Sequence, residues 1–134
     1  MYNENAILID VLDSNEQRLL FVHQTENERR LMKRYGNELG LLDATYKTTR
    51  YTLPLFFLAT KTNVDYQVIG SFIMQDETTQ SILEGLSKLK EWNPEWNPKV
   101  MMVDYSQEEI DALHTLFPGN ILNSKLDLLC IRNE

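Results

Sequence analysis

Two aspartates stand at positions where the surrounding sequence predicts buried strands. Asp43 interrupts an apolar segment at residues 39–46, and Asp104 follows a second apolar segment at residues 99–103. Parallel pairing of these strands would bring both carboxylates to the edge of the sheet where the strands end. Since neighbouring carboxylates repel each other, a hard cation such as Mg²⁺ or Mn²⁺ would stabilise them. Two such ions about 4 Å apart can activate water and stabilise the leaving oxygen in phosphodiester cleavage.

A third carboxylate, that of Glu77, is predicted in the first turn of the helix after the third strand, where it would point toward the same edge. All three acidic residues also have a structural interpretation. Asp43 can accept hydrogen bonds from Thr45 or from neighbouring backbone, and Asp104 can cap the turn into Ser106. Glu77 can be explained by the helix dipole alone, which favours acidic residues in a first turn. Both interpretations stay open at this point.

The order of the predicted elements defines the fold that would position these residues. Hydrophobic periodicity predicts strands at residues 39–46, 51–60, 66–74, 99–103 and within 120–131, with helices after residue 76 and at 107–117. Short polar turns join the first three strands into an antiparallel meander. The helix before strand four allows a right-handed crossover, which places strand four beside strand one and parallel to it. This is the topology of a ribonuclease H-like α/β fold with a mixed sheet.

Local signals refine these elements. The unbroken apolar run at residues 55–59 predicts a strand covered on both faces. Asp76 is predicted to cap the first core helix, and Ser106 with Glu109 matches a capping box. Residues 25–35 predict a short helix with Leu31 inward and Gly36 at its carboxyl-terminal end. We therefore divide the chain into an amino-terminal strand and helix extension at residues 1–36 and a ribonuclease H-like core at residues 37–134.

Length and composition describe one intracellular domain. The chain has 134 residues, of which 43% are hydrophobic and 25% charged. A chain of this size removes about two-thirds of its unfolded surface from water. No apolar run approaches the roughly 20 residues of a membrane helix, and no signal peptide is visible. Together with the single cysteine, Cys130, this predicts a reducing intracellular compartment and no membrane partner.

The net charge limits the partners. The formal charge is −7, whereas a free-standing nucleic-acid binder usually presents a basic surface. Positive charge is concentrated at residues 29–34 and 47–50, and the simplest interpretation is the solvated faces of a helix and a turn. Within the second group, Lys47 and Arg50 are the residues expected to contact DNA phosphates. Tight DNA binding by this chain alone is not expected.

Several motifs together resemble one known family. They are Leu-Asp-Ala-Thr-Tyr-Lys-Thr-Thr-Arg-Tyr-Thr-Leu-Pro-Leu at residues 42–55, Glu77, Met-Met-Val-Asp-Tyr-Ser at 101–106 and Phe-Pro at 117–118. This set resembles the core of Mutator-like (MULE) transposases. It is more similar still to host-adopted relatives in SWIM zinc-finger proteins and in proteins like the calcium-responsive transcription factor. The repeated Trp-Asn-Pro at residues 92–98 belongs to that second pattern. The resemblance extends from roughly Leu20 to Gly119.

The resemblance implies a role for the acidic residues. Active members of the family use three acidic residues and two Mg²⁺ ions to cut DNA at the ends of a transposable element. They then join the 3′ hydroxyl to target DNA. Asp43 matches the first acidic residue and Asp104 the second, and Glu77 matches an acidic position that related nucleases use as a metal ligand. The resemblance thus implies catalytic and metal-binding roles for these residues, and a nuclear location.

The chain departs from the family after Gly119. The family continues into a strand ending in cysteine and then a long helical region that carries its last acidic residue. Here residues 120–134 follow, with Cys130 near the family's cysteine, and Glu134 does not match the last acidic residue. We therefore expect a carboxyl-terminally incomplete, host-adopted domain that associates with DNA or proteins in the nucleus without completing transposase chemistry. A residual Mg²⁺-dependent nuclease and a truncated product without function are the alternatives.

Overall fold

The computed structural model describes residues 4–13, 16–45, 53–75, 78–103 and 106–124. Within these ranges the chain forms a mixed α/β fold whose strands belong to a seven-stranded sheet with the order β1-β2-β5-β4-β3-β6-β7. In chain order the elements are β1 (Glu4–Asp13), β2 (Glu16–Thr25), α1 (Glu26–Tyr35), β3 (Leu39–Thr45), β4 (Leu55–Lys61), β5 (Tyr66–Met74), α2 (Thr79–Trp92), β6 (Val100–Val103), α3 (Gln107–Leu116) and β7 (Ile121–Ser124).

Strand β3 joins an antiparallel half of this sheet to a parallel half. It pairs antiparallel with β4, which pairs antiparallel with β5, and this confirms the predicted meander. On its other side β3 pairs in parallel with β6, which pairs in parallel with β7. The strand predicted as the fourth of the core therefore lies beside the first and parallel to it, and the ribonuclease H-like topology is confirmed. The remainder of the predicted fifth strand, after Ser124, lies outside the described residues.

An amino-terminal hairpin extends the antiparallel half. Strands β1 and β2 pair from Glu4 opposite Thr25 to Asp13 opposite Glu16. Strand β2 then joins β5 over the four residues from Leu20 to His23. Residues 1–36 and 37–134, which the sequence analysis separates, therefore contribute strands to one sheet. Whether they are separate domains stays a prediction.

In the described central strands, the side chains on one face of the sheet are mostly buried, and those on the other face are mostly half-buried. Along β4, half-buried and buried side chains alternate, and the buried row continues through Phe72 on β5 and Leu42 on β3. Helix α2 covers this row, since Gly85 closely approaches the Phe72 ring. The prediction that residues 55–59 are covered on both faces is wrong. Phe57 projects from the opposite face and is half-buried, because the described helices pack on the Phe72 side.

Helix α1 begins at a capping box that the sequence analysis did not identify. The Thr25 hydroxyl accepts from the Glu28 amide at 3.1 Å, and the Glu28 carboxylate accepts from the Thr25 amide at 2.8 Å. The helix ends at Gly36, as predicted, and a side chain at this position would not fit, since a Cβ there would lie 2.6 Å from the Met32 carbonyl oxygen. Met32 is the fully buried residue of α1, whereas Leu31 packs at the margin of the core.

Helix α3 starts without the predicted capping box. The Ser106 side chain makes no capping hydrogen bond, and its hydroxyl lies 3.0 Å from a carboxylate oxygen of Glu108, to which it donates. The predicted pairing of Ser106 with Glu109 is therefore wrong, because the Ser106 hydroxyl donates a hydrogen bond to Glu108 and caps no backbone amide of the helix. On its inward face the helix buries Leu113, and Phe117 directly after it is also buried.

The longest described helix, α2, has 14 residues. No helix within the described ranges has both the length and the apolar character needed to cross a membrane.

Gly85→Ala tests the close approach of α2 to the sheet. An added Cβ would lie 2.6 Å from Cδ2 of Phe72, whose ring stacks on Phe56 and cannot move aside. Overpacking of this kind costs about 1–3 kcal/mol and exceeds the helix propensity gained. We expect the free energy of unfolding, measured by urea denaturation, to fall by about 1–2 kcal/mol. Ser87→Ala in the same helix is the control and should change stability by less than about 0.5 kcal/mol. A stabilised Gly85→Ala protein would contradict this packing.

Candidate functional site

Asp43 lies near the end of β3, and its side chain is exposed. Its Cα stands opposite that of Phe57 on β4. The preceding residue, Leu42, is buried in the row beneath α2. Because side chains alternate between the faces of a strand, Asp43 projects from the face that points away from α2. Its carboxylate is therefore accessible to a ligand in solution.

The parallel strand beside β3 leads toward the second predicted aspartate. Pairing runs from Leu39 opposite Val100 to Leu41 opposite Met102. Along the chain, Asp43 is two residues beyond Leu41, and Asp104 is two residues beyond Met102. The structure thus confirms the parallel neighbours on which the predicted aspartate pair depends. Asp104 itself lies outside the described residues, and the meeting of the two carboxylates stays a prediction.

Helix α2 starts after the predicted position of its acidic first turn. Helix α2 begins at Thr79, and no acidic residue is in its first turn. Thr78 caps the helix, because its hydroxyl accepts a hydrogen bond from the Ser81 amide at 3.1 Å. The prediction that Asp76 is the cap is wrong for the same reason. Glu77 and Asp76 themselves lie outside the described residues.

The structure describes only one of the residues predicted to bind metal or DNA. Asp43 is described, whereas Asp104, Glu77, Lys47 and Arg50 fall outside the described ranges. Within those ranges, no group of three or more His, Cys, Asp or Glu side chains is arranged to hold a metal ion. Binding of Mg²⁺ or Mn²⁺ and contacts to DNA phosphates therefore remain predictions.

The described sheet face around Asp43 is largely apolar. Across the strands, Asp43 is followed by Phe57 on β4, Ser71 on β5 and His23 on β2. This row contains no lysine or arginine that could neutralise a phosphate beside the carboxylate. The neighbouring positions of the same face carry half-buried apolar side chains, namely Phe21, Leu41, Leu55, Ala59 and Ile73.

A cleft of about 480 Å³ lies at the other end of the sheet, where β3 and β6 begin. One wall is the cationic face of α1, and the other is the end of α2 with the linker that leads to β6. We call it the α1–linker cleft. It is lined by Glu26, Arg29, Arg30, Lys33, Trp92, Asn93, Pro94, Glu95 and Trp96.

Lys90 fixes the linker wall of this cleft. Its Nζ donates to the carbonyl oxygens of Pro94 at 3.0 Å and Trp96 at 2.8 Å. The same ammonium lies 5.6 Å from the centre of the Phe117 ring, a cation–π distance. The Trp96 ring meets Phe117 edge to face, with centroids 4.9 Å apart. The linker is therefore held in one conformation against α2 and α3.

Further hydrogen bonds tie the linker to α1 and to the sheet. Arg29 Nη2 donates to the Trp92 carbonyl oxygen at 2.9 Å and so joins the two walls. Asn93 Nδ2 donates to Gln24 Oε1 at 2.8 Å, and Gln24 Nε2 donates to the Ile69 carbonyl oxygen at 2.7 Å. The shape of the cleft is thus set before any ligand arrives.

This cleft was not predicted from the sequence. The cations at residues 29–34 were interpreted as a solvated helix face, and the Trp-Asn-Pro repeat only as part of the family resemblance. One local signal was available. Glu26, Arg29, Arg30 and Lys33 recur at positions i, i+3, i+4 and i+7 and therefore share one face of α1. What the sequence does not show is that this face lies opposite Trp92 at the end of α2 and the linker that follows it.

Comparison with protein families agrees with the topology and with the SWIM-related motifs. Residues 2–122 match the family described as "Zinc finger SWIM domain-containing protein 1/3, RNaseH-like domain". This range contains every described element through α3 and the beginning of β7. A comparison with curated proteins gave no match. The chain therefore belongs to the family of ribonuclease H-like domains of zinc finger SWIM domain-containing proteins 1 and 3.

Proposed function

We propose that this domain derives from a Mutator-like transposase and now serves as a nuclear binding module that does not complete transposase chemistry. The transposase-like motifs at residues 42–55 and 101–106 support the origin. The family match supports a present role within SWIM zinc-finger proteins rather than within a mobile element. Association with other proteins is the main role in this proposal, and association with DNA is weak.

The surroundings of Asp43 carry this proposal. A phosphodiester-cleaving site must accept a charged backbone, and basic residues near the metal ions usually help to neutralise it. In the described sheet, the row that begins at Asp43 continues through Phe57, Ser71 and His23. The flanking positions of this face are apolar and half-buried. Together with the formal charge of −7, this favours contacts with protein over contacts with DNA.

A residual metal-dependent nuclease is the second candidate. The observation that favours it is the exposed Asp43 carboxylate near the end of β3, beside the parallel strand that precedes Asp104. An exposed carboxylate fits a hard cation such as Mg²⁺ or Mn²⁺. In this alternative Asp43, Asp104 and Glu77 would hold the ion, which would supply an activated water for DNA cleavage. Lys47 and Arg50 would then contact the phosphates.

Titration with Mg²⁺, followed by trace Mn²⁺, distinguishes the two candidates by NMR. For the binding module we expect no metal-dependent broadening centred on Asp43. The wild type and Asp43→Asn should respond to the added ion in the same way. Glu38→Gln, which removes another exposed carboxylate, controls for general attraction of Mn²⁺ by the negative charge. The contrary result has two parts. Broadening at Asp43 would be lost in Asp43→Asn but kept in Glu38→Gln, and the wild type would cleave DNA in Mn²⁺ while Asp43→Asn would not. Both parts together would overturn the proposal.

A further inference from the structure

We propose that the α1–linker cleft binds an acidic peptide segment of a partner protein. A carboxylate of the peptide lies against Arg30 and Lys33, and an adjacent apolar side chain packs against Trp92. This inference names a partner class for the binding module but rests on a different surface from the Asp43 site. It therefore stands whether or not Asp43 binds a metal ion.

The charges that line the cleft are unevenly satisfied. Arg29 is engaged by the Trp92 carbonyl oxygen and lies 3.7 Å from the Glu26 carboxylate. Arg30 and Lys33 are exposed, and among the described residues neither has an ion-pair partner. Three cations and two carboxylates line the cleft, a net charge of +1 (3 − 2), in a chain whose total is −7. The cleft is thus a local site for an anion on an acidic protein.

The opposite wall is suited to an apolar group. Trp92 is half-buried at the end of α2, and Pro94 and Trp96 continue the wall. Trp96 itself is 2% exposed and packs on Phe117, so Trp92 is the aromatic side chain that the cleft presents to a ligand. The cleft volume of about 480 Å³ is within the range of sites that hold a small ligand or a few side chains.

The walls are also rigid before binding. Lys90 holds the carbonyl groups of Pro94 and Trp96, and Asn93 is anchored to Gln24. A preformed site loses little conformational entropy when a ligand binds. A short peptide can therefore bind there with few contacts.

The arrangement favours a peptide over nucleic acid. A nucleic-acid strand carries a charge on every nucleotide and requires a basic stripe that follows its backbone. Here Arg30 and Lys33, which have no ion-pair partner among the described residues, lie about one turn apart on one helix, and Glu26 and Glu95 line the same cleft. A peptide with one or two acidic residues next to a large apolar residue matches both walls.

Selection from a library of random displayed peptides tests the proposal with the full chain as target. We expect enriched peptides to share aspartate or glutamate next to leucine, phenylalanine or tryptophan. The double variant Arg30→Glu/Lys33→Glu is expected to bind the leading synthetic peptide about tenfold more weakly or worse, since charge-assisted hydrogen bonds are lost. Binding by the wild type is expected to weaken as salt increases.

A matched control has the same net charge but leaves the cleft intact. In Arg34→Glu/Lys61→Glu two exposed cations that do not line the cleft are reversed, and peptide affinity is expected to stay within about twofold of the wild type. Trp92→Phe keeps an aromatic ring and is expected to weaken binding less than the double variant does. NMR spectra of each variant establish that it is folded.

Three outcomes would overturn the proposal. They are no enrichment of any peptide, enrichment of peptides without acidic residues, and equal loss of affinity in the cleft and control variants. Binding of a short single-stranded oligodeoxynucleotide that requires Arg30 and Lys33, without peptide binding, would assign the cleft to nucleic acid instead. Asp43→Asn is expected to bind the peptide like the wild type. Failure at the cleft is thus separable from failure of the Asp43 assignment.

Discussion

Phe72→Ala is expected to lower the free energy of unfolding by about 3–5 kcal/mol. Phe72 is completely buried on β5, between Val22 of β2 and Phe56 of β4. Its ring stacks on that of Phe56 with centroids 5.1 Å apart and planes inclined by 5°. Gly85 lies directly above it and has no side chain that could fill the space left by alanine. The cavity cannot close easily, and the variant therefore loses both buried surface and the aromatic pair.

Urea denaturation followed by circular dichroism measures this loss, with an unchanged dependence on urea as the sign of two-state unfolding. Val68→Ala on the same strand is the matched control. Val68 is 40% exposed, and its truncation is expected to cost less than about 1 kcal/mol. A cost for Phe72→Ala similar to that for Val68→Ala would show that α2 does not pack on this row. Comparing the double variant Phe72→Ala/Phe56→Ala with the two single variants isolates the contribution of the ring pair.

Gln24→Leu is expected to destabilise the fold by about 2–4 kcal/mol, although it places an apolar side chain of similar size in the core. Pairing of β4 with β5 passes from Leu58 opposite Gly70 to Ala59 opposite Val68, and thus skips Ile69. The Gln24 amide supplies the hydrogen bond that the Ile69 carbonyl oxygen accepts, and its own oxygen accepts from Asn93. Leucine would leave both groups without these partners in a buried region.

Thermal and urea unfolding of Gln24→Leu can be compared with those of Gln67→Leu. Gln67 is exposed on β5, and its replacement is expected to change stability by less than about 0.5 kcal/mol. Amide hydrogen exchange provides a second measurement, since exchange is expected to accelerate around Asn93 in Gln24→Leu. A Gln24→Leu variant as stable as the wild type would contradict a structural role for this amide.

The strands of the core could be predicted well from the sequence. The predicted range 66–74 agrees with β5 (Tyr66–Met74) at both ends, because polar turn residues bound an apolar segment. The parallel pairing of β6 with β3 followed from the handedness of crossover connections. The hairpin of β1 and β2 was not assigned, since the run of apolar residues at 6–9 lacks the alternation that identifies a strand with one buried face.

The sites were less predictable, because their contacts join distant parts of the chain. The hydrogen bond from Arg29 to the Trp92 carbonyl oxygen spans 63 residues, and that from Gln24 to Ile69 spans 45. No local pattern encodes either contact. The predicted caps of α2 and α3 were wrong for a different reason. Several residues near each start can act as caps, and the geometry of one hydroxyl, that of Thr78 at α2, decides between them.

The position of β3 between antiparallel and parallel neighbours has a consequence for the order in which the protein folds. Its antiparallel partner β4 follows it in the chain, whereas its paired residues on β6 come 61 positions later (100 − 39). Distant pairings form more slowly, because a longer loop must be closed first. During synthesis from the amino terminus, the meander can therefore assemble while the other edge of β3 still lacks β6. Such an edge is a template for pairing with another chain. We therefore expect the yield of folded protein to depend on how fast β6 closes relative to intermolecular association, and not on native stability alone.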